Sequence, residues 1–260
     1  MADVLRVETR DRVAVLTLDR PEALNAIGGE TVAELDAALD EVGPDPAVGA
    51  LVVTGEGRAF SAGADISELA ALPSPHDFAR FVRAMTDVFG RLQTLPKPVV
   101  AAVNGAALGG GFELALACDL RIAATRAKLG VPEIKLGILP AAGGTARLTR
   151  MVPPAVAKAL MMTGDPLAAD EAHRLGLVNE VVDDADACRA RAIELAAQLA
   201  AMPGLALAAA KRLVDEGATM PLDVAVTFER ETVSMLFGTD DRAEGMTAFL
   251  DKRKPTFHGR

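Results

Sequence analysis

The chain has 260 residues, 50% hydrophobic and 24% charged, a balance that supports a sizeable core and excludes a disordered or fibrous chain. Its 27 Lys and Arg against 36 Asp and Glu leave a formal net charge of −9, which repels phosphate backbones and anionic membrane surfaces at long range. With no Trp, no Tyr and 9 Phe, it also lacks the stacking platforms that single-stranded nucleic acid uses.

Val13 to Leu18 is rich in β-branched residues and runs into Asp19-Arg20-Pro21, which predicts a strand closed by a turn. Val32, Leu35, Leu39 and Val42 then recur at helical spacing and stop at Gly43-Pro44. Leu51 to Thr54 predicts a second strand, ended by Gly55-Glu56-Gly57. Phe78, Phe81, Val82, Met85, Val88, Phe89 and Leu92 fall on one helical face, broken at Lys97-Pro98. Val99 to Val103 predicts a third strand and Asn104-Gly105 a turn. Short strands alternating with helices point to α/β layers, with no Pro- or Ser-rich linker to separate two independent domains. From about Pro153 the pattern is nearly continuous helix, interrupted only at Val181-Val182. From roughly residue 200 on, those helical faces need burial elsewhere, against another subunit.

Cys118 and Cys188 are the only cysteines and each lies in an apolar, helix-like stretch, so no disulfide framework or thiolate metal site is expected. The start, Met1-Ala2-Asp3-Val4-Leu5-Arg6, has no basic region leading into an apolar run, and no stretch approaches the ~20 apolar residues of a membrane span. The expectation is a cytoplasmic protein with neither nucleic acid nor membrane as partner.

Common chemical motifs fail. There is no phosphate loop of the G-x-x-x-x-G-K-[ST] type, and Gly109-Gly110-Gly111 does not extend to G-x-G-x-x-G because Leu114 holds the last position. Ala59-Phe60-Ser61-Ala62-Gly63 lacks the first glycine of a nucleophile elbow, and His76, His173 and His258 stand in no motif. Two glycine-rich turns remain. Ala62-Gly63-Ala64-Asp65 leaves backbone N–H groups accessible, and Gly109-Gly110-Gly111 opens the apolar helix Phe112 to Cys118, where a helix N-terminus favours an oxyanion. Alone, such glycines more often serve tight turns. Glu113 lies in the first turn of that helix and Glu133 in Gly130-Val131-Pro132-Glu133. By itself Glu113 reads as a complement to the helix dipole, and Glu133 as the exposed start of a surface helix. Together, two carboxylates near one oxyanion site can hold a water and divide the acid and base roles.

These residues resemble the crotonase (enoyl-CoA hydratase/isomerase) superfamily over essentially the whole chain. The resemblance rests on Leu18-Asp19-Arg20-Pro21 with Leu24-Asn25-Ala26, and on Arg58 through Ile66. It continues through Ala102-Val103-Asn104-Gly105, Leu108 to Leu114, Pro132 to Gly137, Leu139 to Gly144 and the tail Glu244 to Arg253. It implies an α/β fold, the ClpP/crotonase-like spiral of ββα units, with a core over 1–200 and a C-terminal helical trimerisation region over 201–260. It further implies a homo-trimer or a homo-hexamer built as a dimer of trimers.

By position, the resemblance assigns the N–H groups of Ala64 and Gly110 to the thioester oxygen of an acyl-CoA, and makes Glu113 and Glu133 the catalytic carboxylates. Coenzyme A then belongs to the substrate, no separate cofactor or metal is implied, and its contacts fall on Arg58, Ala62, Asp65, Ile66, Phe249 and Lys252. The last two would reach a neighbouring subunit's ligand; the alternative for the tail cluster Lys252-Arg253-Lys254 is an ordinary solvated segment. Ser67 replaces a Lys common in the family, and Ala141 a common Gly. The implied reaction is addition of water to a trans-2-enoyl-CoA, giving a 3-hydroxyacyl-CoA. Alternatives are an enoyl-CoA isomerase or sister reaction, which typically keeps one glutamate, and a non-catalytic acyl-CoA-binding or RNA-binding relative.

Overall fold

The structure, a computed structural model, describes residues 4–259. Strands β1 (Leu5–Arg10) and β2 (Val13–Leu18) form an antiparallel hairpin, followed by helix α1 (Gly29–Val42). The chain then winds in turns that each add one strand to each of two sheets. The first turn is β3 (Ala50–Gly55), β4 (Ala59–Ser61), α2 (Ile66–Ala70) and α3 (Pro75–Thr94); the second is β5 (Val99–Val103), β6 (Ala106–Leu108) and α4 (Gly110–Ala117). The third is β7 (Leu120–Ala124) and β8 (Lys128–Gly130), a 3-10 turn over Pro132–Leu136, then α5 (Gly144–Met151) and α6 (Pro154–Thr163). β9 (Leu167–Ala168), α7 (Ala169–Arg174) and β10 (Glu180–Val182) close the winding before α8 (Ala185–Ala200). Three helices follow: α9 (Gly204–Gly217), α10 (Leu222–Leu236) and α11 (Asp240–Leu250).

The larger sheet has the order β1-β2-β3-β5-β7-β10, parallel throughout except for its first hairpin, and the smaller is β4-β6-β8-β9. This is the expected α/β spiral. Because side chains alternate across a strand, Leu51, Val53, Val99 and Ala101 pack into one core, while Val52, Val100 and Ala102 pack into a second on the other face. Helix α8 covers that second face with Cys188, Ala192, Ala196 and Ala200, four residues apart, so only small side chains separate helix from sheet. The approach is close enough that a Cβ at Gly49 would lie 2.8 Å from the Ala200 Cβ.

Two sequence expectations change in detail. The glycine turns do not follow the long strands directly, since β4 and β6 intervene, and β9 adds a second strand to the stretch read as continuous helix. These strands span two or three residues, too few for an alternation pattern to register. Helix α4 is fixed at its far end by buried Arg121, whose guanidinium donates to the carbonyls of Ala115, Cys118 and Leu177. A cation among the last carbonyls complements the helix dipole and leaves the N-terminus of α4 rigidly aimed at the site.

Candidate active site

The 62–65 loop is held by its main chain on both sides of Ala64. Ala62 N–H donates to Leu24 O (2.9 Å), Ile27 N–H to Gly63 O (2.8 Å) and Asp65 N–H to Ile27 O (2.9 Å). Ser61 Oγ donates to Asn25 O and accepts from Gly63 N–H. This pattern leaves the Ala64 N–H without a protein acceptor among the described residues. Across from it, Gly109 turns the chain at φ 52° and ψ −127° into α4, so the Gly110 N–H occupies the first position of the helix, which has no intrahelical partner. A Cβ at Gly63 would sit 3.3 Å from Gly110 N, and one at Gly110 would sit 3.4 Å from Ala64 N. The two free donors therefore share one small volume, and a side chain on either glycine would crowd it.

Glu113 is 2% exposed, on the first turn of α4. Its Oε1 accepts from Ala142 N–H (2.8 Å) and Gly144 N–H (2.7 Å), from the loop that leads into α5. Burial pushes its carboxyl above the ordinary range, opposed by those N–H donors and by the charge of Arg147. Glu133 lies in the 3-10 turn, not on a surface helix, and a Cβ at Gly109 would come within 2.9 Å of its Oε1. Its Oε2 is one of three buried side-chain polar atoms without a hydrogen-bond partner among the described residues. Burial, with Glu113 nearby, lifts the Glu133 carboxyl to about 7, though a backbone hydrogen bond opposes this. An unpartnered carboxyl oxygen in a cavity is a group awaiting a ligand or water.

Both glutamates, Gly63, Ala64, Gly109 and Gly110 line one cavity of about 80 Å³. Its remaining walls are apolar: Ile66 and Leu69 of α2, Phe78, Phe81, Val82 and Met85 of α3, and Leu136, Ile138 and Leu139. The apolar face of α3 thus divides, with Met85, Val88, Phe89 and Leu92 buried and its first turns facing the cavity. Among the described residues no group of three or more His, Cys, Asp or Glu is placed to hold a metal ion.

Ala62 and Ile66 also line this cavity, whereas Arg58, Asp65, Phe249 and Lys252 do not. The Asp65 carboxylate instead caps α2 through Ser67 N–H and Glu68 N–H and pairs with Arg20 at 3.2 Å. Arg58 and Lys252 are exposed, and Phe249 is 82% exposed on α11. In the basic tail cluster, Arg253 is paired with Glu244 at 2.6 Å. Sequence reasoning did not assign the N–H groups of Ala142 and Gly144 that grip Glu113; the only signal was the run Pro140 to Gly144, whose partner became visible only in three dimensions.

The model of the family described as enoyl-CoA hydratase/isomerase matches residues 8–260. The chain belongs to that family. It is 44% identical over 252 residues to the crotonyl-CoA hydratase of Syntrophomonas wolfei, covering 96% of each chain. It is 43% identical to the short-chain-enoyl-CoA hydratase of Clostridium acetobutylicum, covering 95% of each. Among solved structures, an enoyl-CoA hydratase from Bacillus anthracis matches with a TM-score of 0.95 at 36% identity, covering 99% of this chain and 100% of the other. Membership in the enoyl-CoA hydratase/isomerase family and the crotonase-type spiral therefore stand together.

Proposed function

We propose that the protein is an enoyl-CoA hydratase, adding water to a trans-2-enoyl-CoA to give a 3-hydroxyacyl-CoA. The observation that carries this reading is the unpartnered Oε2 of Glu133 in the cavity that also holds Glu113 and the two free N–H groups. The thioester oxygen accepts from Ala64 N–H and Gly110 N–H, which form an oxyanion hole for the negative charge that develops as the β-carbon is attacked. Water is held between the carboxyl groups. Glu113, gripped by two peptide N–H groups, takes a proton as the water oxygen bonds to Cβ; Glu133, protonated near neutrality, gives a proton to Cα. Water is consumed whole, and proton exchange through solvent returns each carboxyl to its starting state. Shifting a double bond needs only one carboxyl to carry a proton between carbons, so the pair favours hydration.

Names of relatives support short acyl chains, as does the small apolar-walled cavity. The coenzyme A portion is assigned to Arg58 and to Ala62 and Ile66, with Asp65 holding their loop from behind, and is completed by Phe249 and Lys252 from a neighbouring copy. That assignment is supported by α9 and α10, in which every residue keeps some exposure within one chain, and by Leu222, Met235 and Phe237, exposed by 79%, 72% and 58%. Such faces favour a trimer or a dimer of trimers. We place the reaction in the cytoplasm, a reading supported by two buried, unpaired cysteines.

The test follows loss of the conjugated enoyl thioester absorbance with crotonyl-CoA and longer enoyl-CoAs. Hydration, fastest for the short substrates, is expected. No hydration at any chain length, or full activity in both Glu113→Gln and Glu133→Gln, would overturn the reading.

A further inference from the structure

Arg147 stands on α5, one turn beyond the loop that carries the donors to Glu113. Its Nη1 donates to Ala142 O at 2.9 Å, and its Nε to Gln93 Oε1 of α3 at 3.0 Å. The half-buried guanidinium lies against Gly143, where φ is 105° and a Cβ would collide with Nη1. The same residue, Ala142, thus accepts from Arg147 through its carbonyl and donates to Glu113 through its N–H. No ion pair joins Arg147 directly to Glu113 among the described residues, so its grip runs through the loop.

We infer that Arg147 is a positioning residue, which locks the Ala141–Gly144 loop so that two of its N–H groups bind one oxygen of Glu113. This rests on the reading of Glu113 as the base of the hydration. The fork geometry explains the choice of arginine, because two donors in one rigid plane tie the loop to α3 in different directions, which a lysine ammonium on a flexible stem does less well. Its charge contributes separately. Arg147 favours the ionised form of Glu113, the form a base requires, against the burial that disfavours it. The other groups in this electrostatic neighbourhood are Glu133 beside Glu113, and the Cys118 thiol of the α4 end and Asp215 of α9 facing the guanidinium.

The experiment compares Arg147→Met, Arg147→Lys and Gln93→Leu in the intact protein, by steady-state kinetics with crotonyl-CoA across pH and by thermal unfolding. In Arg147→Met, kcat should fall about a hundredfold with KM little changed, the loss expected when a reacting group is misplaced by about 1 Å. Its acidic limb should also move to higher pH, since losing the cation makes Glu113 harder to ionise. Arg147→Lys should return the limb towards its original position while recovering kcat only in part. Gln93→Leu should lower kcat several-fold with the limb in place. A folded Arg147→Met with unchanged kcat and pH profile, or one impaired in KM alone, overturns the inference. If Arg147→Met does not fold, unchanged kcat in both other variants overturns it. A wild-type protein that hydrates no enoyl-CoA removes the hydration reading and this inference with it, whereas an active wild type with unaffected variants removes the inference alone.

Discussion

Glu113 and Glu133 face one cavity with unequal claims on a proton, for burial first and the charge of Glu113 second lift the Glu133 carboxyl to about 7. Glu113 is held by two peptide N–H groups, while Glu133 has one buried oxygen with no partner. The division of acid and base follows from that asymmetry rather than from any difference in residue type.

A pH profile should therefore show activity declining as pH rises through about 7, where Glu133 gives up its proton. Because the pair titrates together, the limbs belong to the site as a whole. Glu133→Gln should remove the alkaline limb and lower kcat by about 10²–10⁴, the span of general acid–base contributions. An alkaline limb that survives unchanged in that variant would show that another group titrates there.

The same shift bears on stability. A carboxyl whose folded pKa is raised favours folding fully below its unfolded value of about 4.3, and that contribution is lost as pH rises through about 7. Glu133→Gln cannot ionise, so it should be more stable than the wild type at pH 8 by on the order of 3 kcal/mol, and by much less at pH 4. Urea unfolding at the two pH values measures this, and a gap independent of pH would contradict it.

Gly109→Ala should be doubly costly. The residue has φ +52°, and the added Cβ would lie 2.9 Å from Glu133 Oε1. We expect about 1–3 kcal/mol of lost stability from the backbone, together with a fall in kcat of at least tenfold from displacement of Glu133. Equal kinetics in the variant would mean that the carboxyl moves freely, contrary to its proposed role.

Lys211 ties α9 to the core. Its Nζ donates to Asp119 Oδ2 (2.9 Å), Leu92 O (3.1 Å) and Lys97 O (3.2 Å), at 11% side-chain exposure. Lys211→Met leaves the largely buried Asp119 without its cation and should destabilise by about 3 kcal/mol, with Asp119→Asn in the same chain recovering part of the loss. Chemical denaturation of the two single variants and the double variant reads the coupling.

Charge placed on the exposed face of α10 should break the proposed assembly. Met235→Glu should shift sedimentation toward the monomer and raise KM for crotonyl-CoA, because the proposed ligand contacts of Phe249 and Lys252 come from a neighbour. A variant that sediments as a single chain with an unchanged KM would remove those residues from the binding site.

Much of the fold was legible in the sequence because the signals were local or repeated, whereas Glu133 alone reads as an exposed helix start and was joined to Glu113 only through the family resemblance. Helical spacing marked α1 and α3, β-branched apolar runs ended by turns marked the long strands, and Glu113 stood out as the lone charge in an apolar helix start. The grip on Glu113 was not legible: Ala142 and Gly144 act through main-chain N–H groups, which every residue but proline carries. Likewise Phe78 and Met85 share one periodic face, yet only the winding of the chain makes both wall the cavity while burying Met85 against the core. The short β6 and β8 gain their identity from their neighbours in the smaller sheet.

Asp65 points its carboxylate back into the protein, towards the start of α2 and Arg20, while its neighbour Ala64 offers a bare N–H to the cavity. A survey of this loop scored only by turnover would rank Asp65 beside the ligand-touching residues. In Asp65→Ala the loss would come through the cap of α2 and the Arg20 pair that hold the loop, since the carboxylate itself lines no part of the cavity.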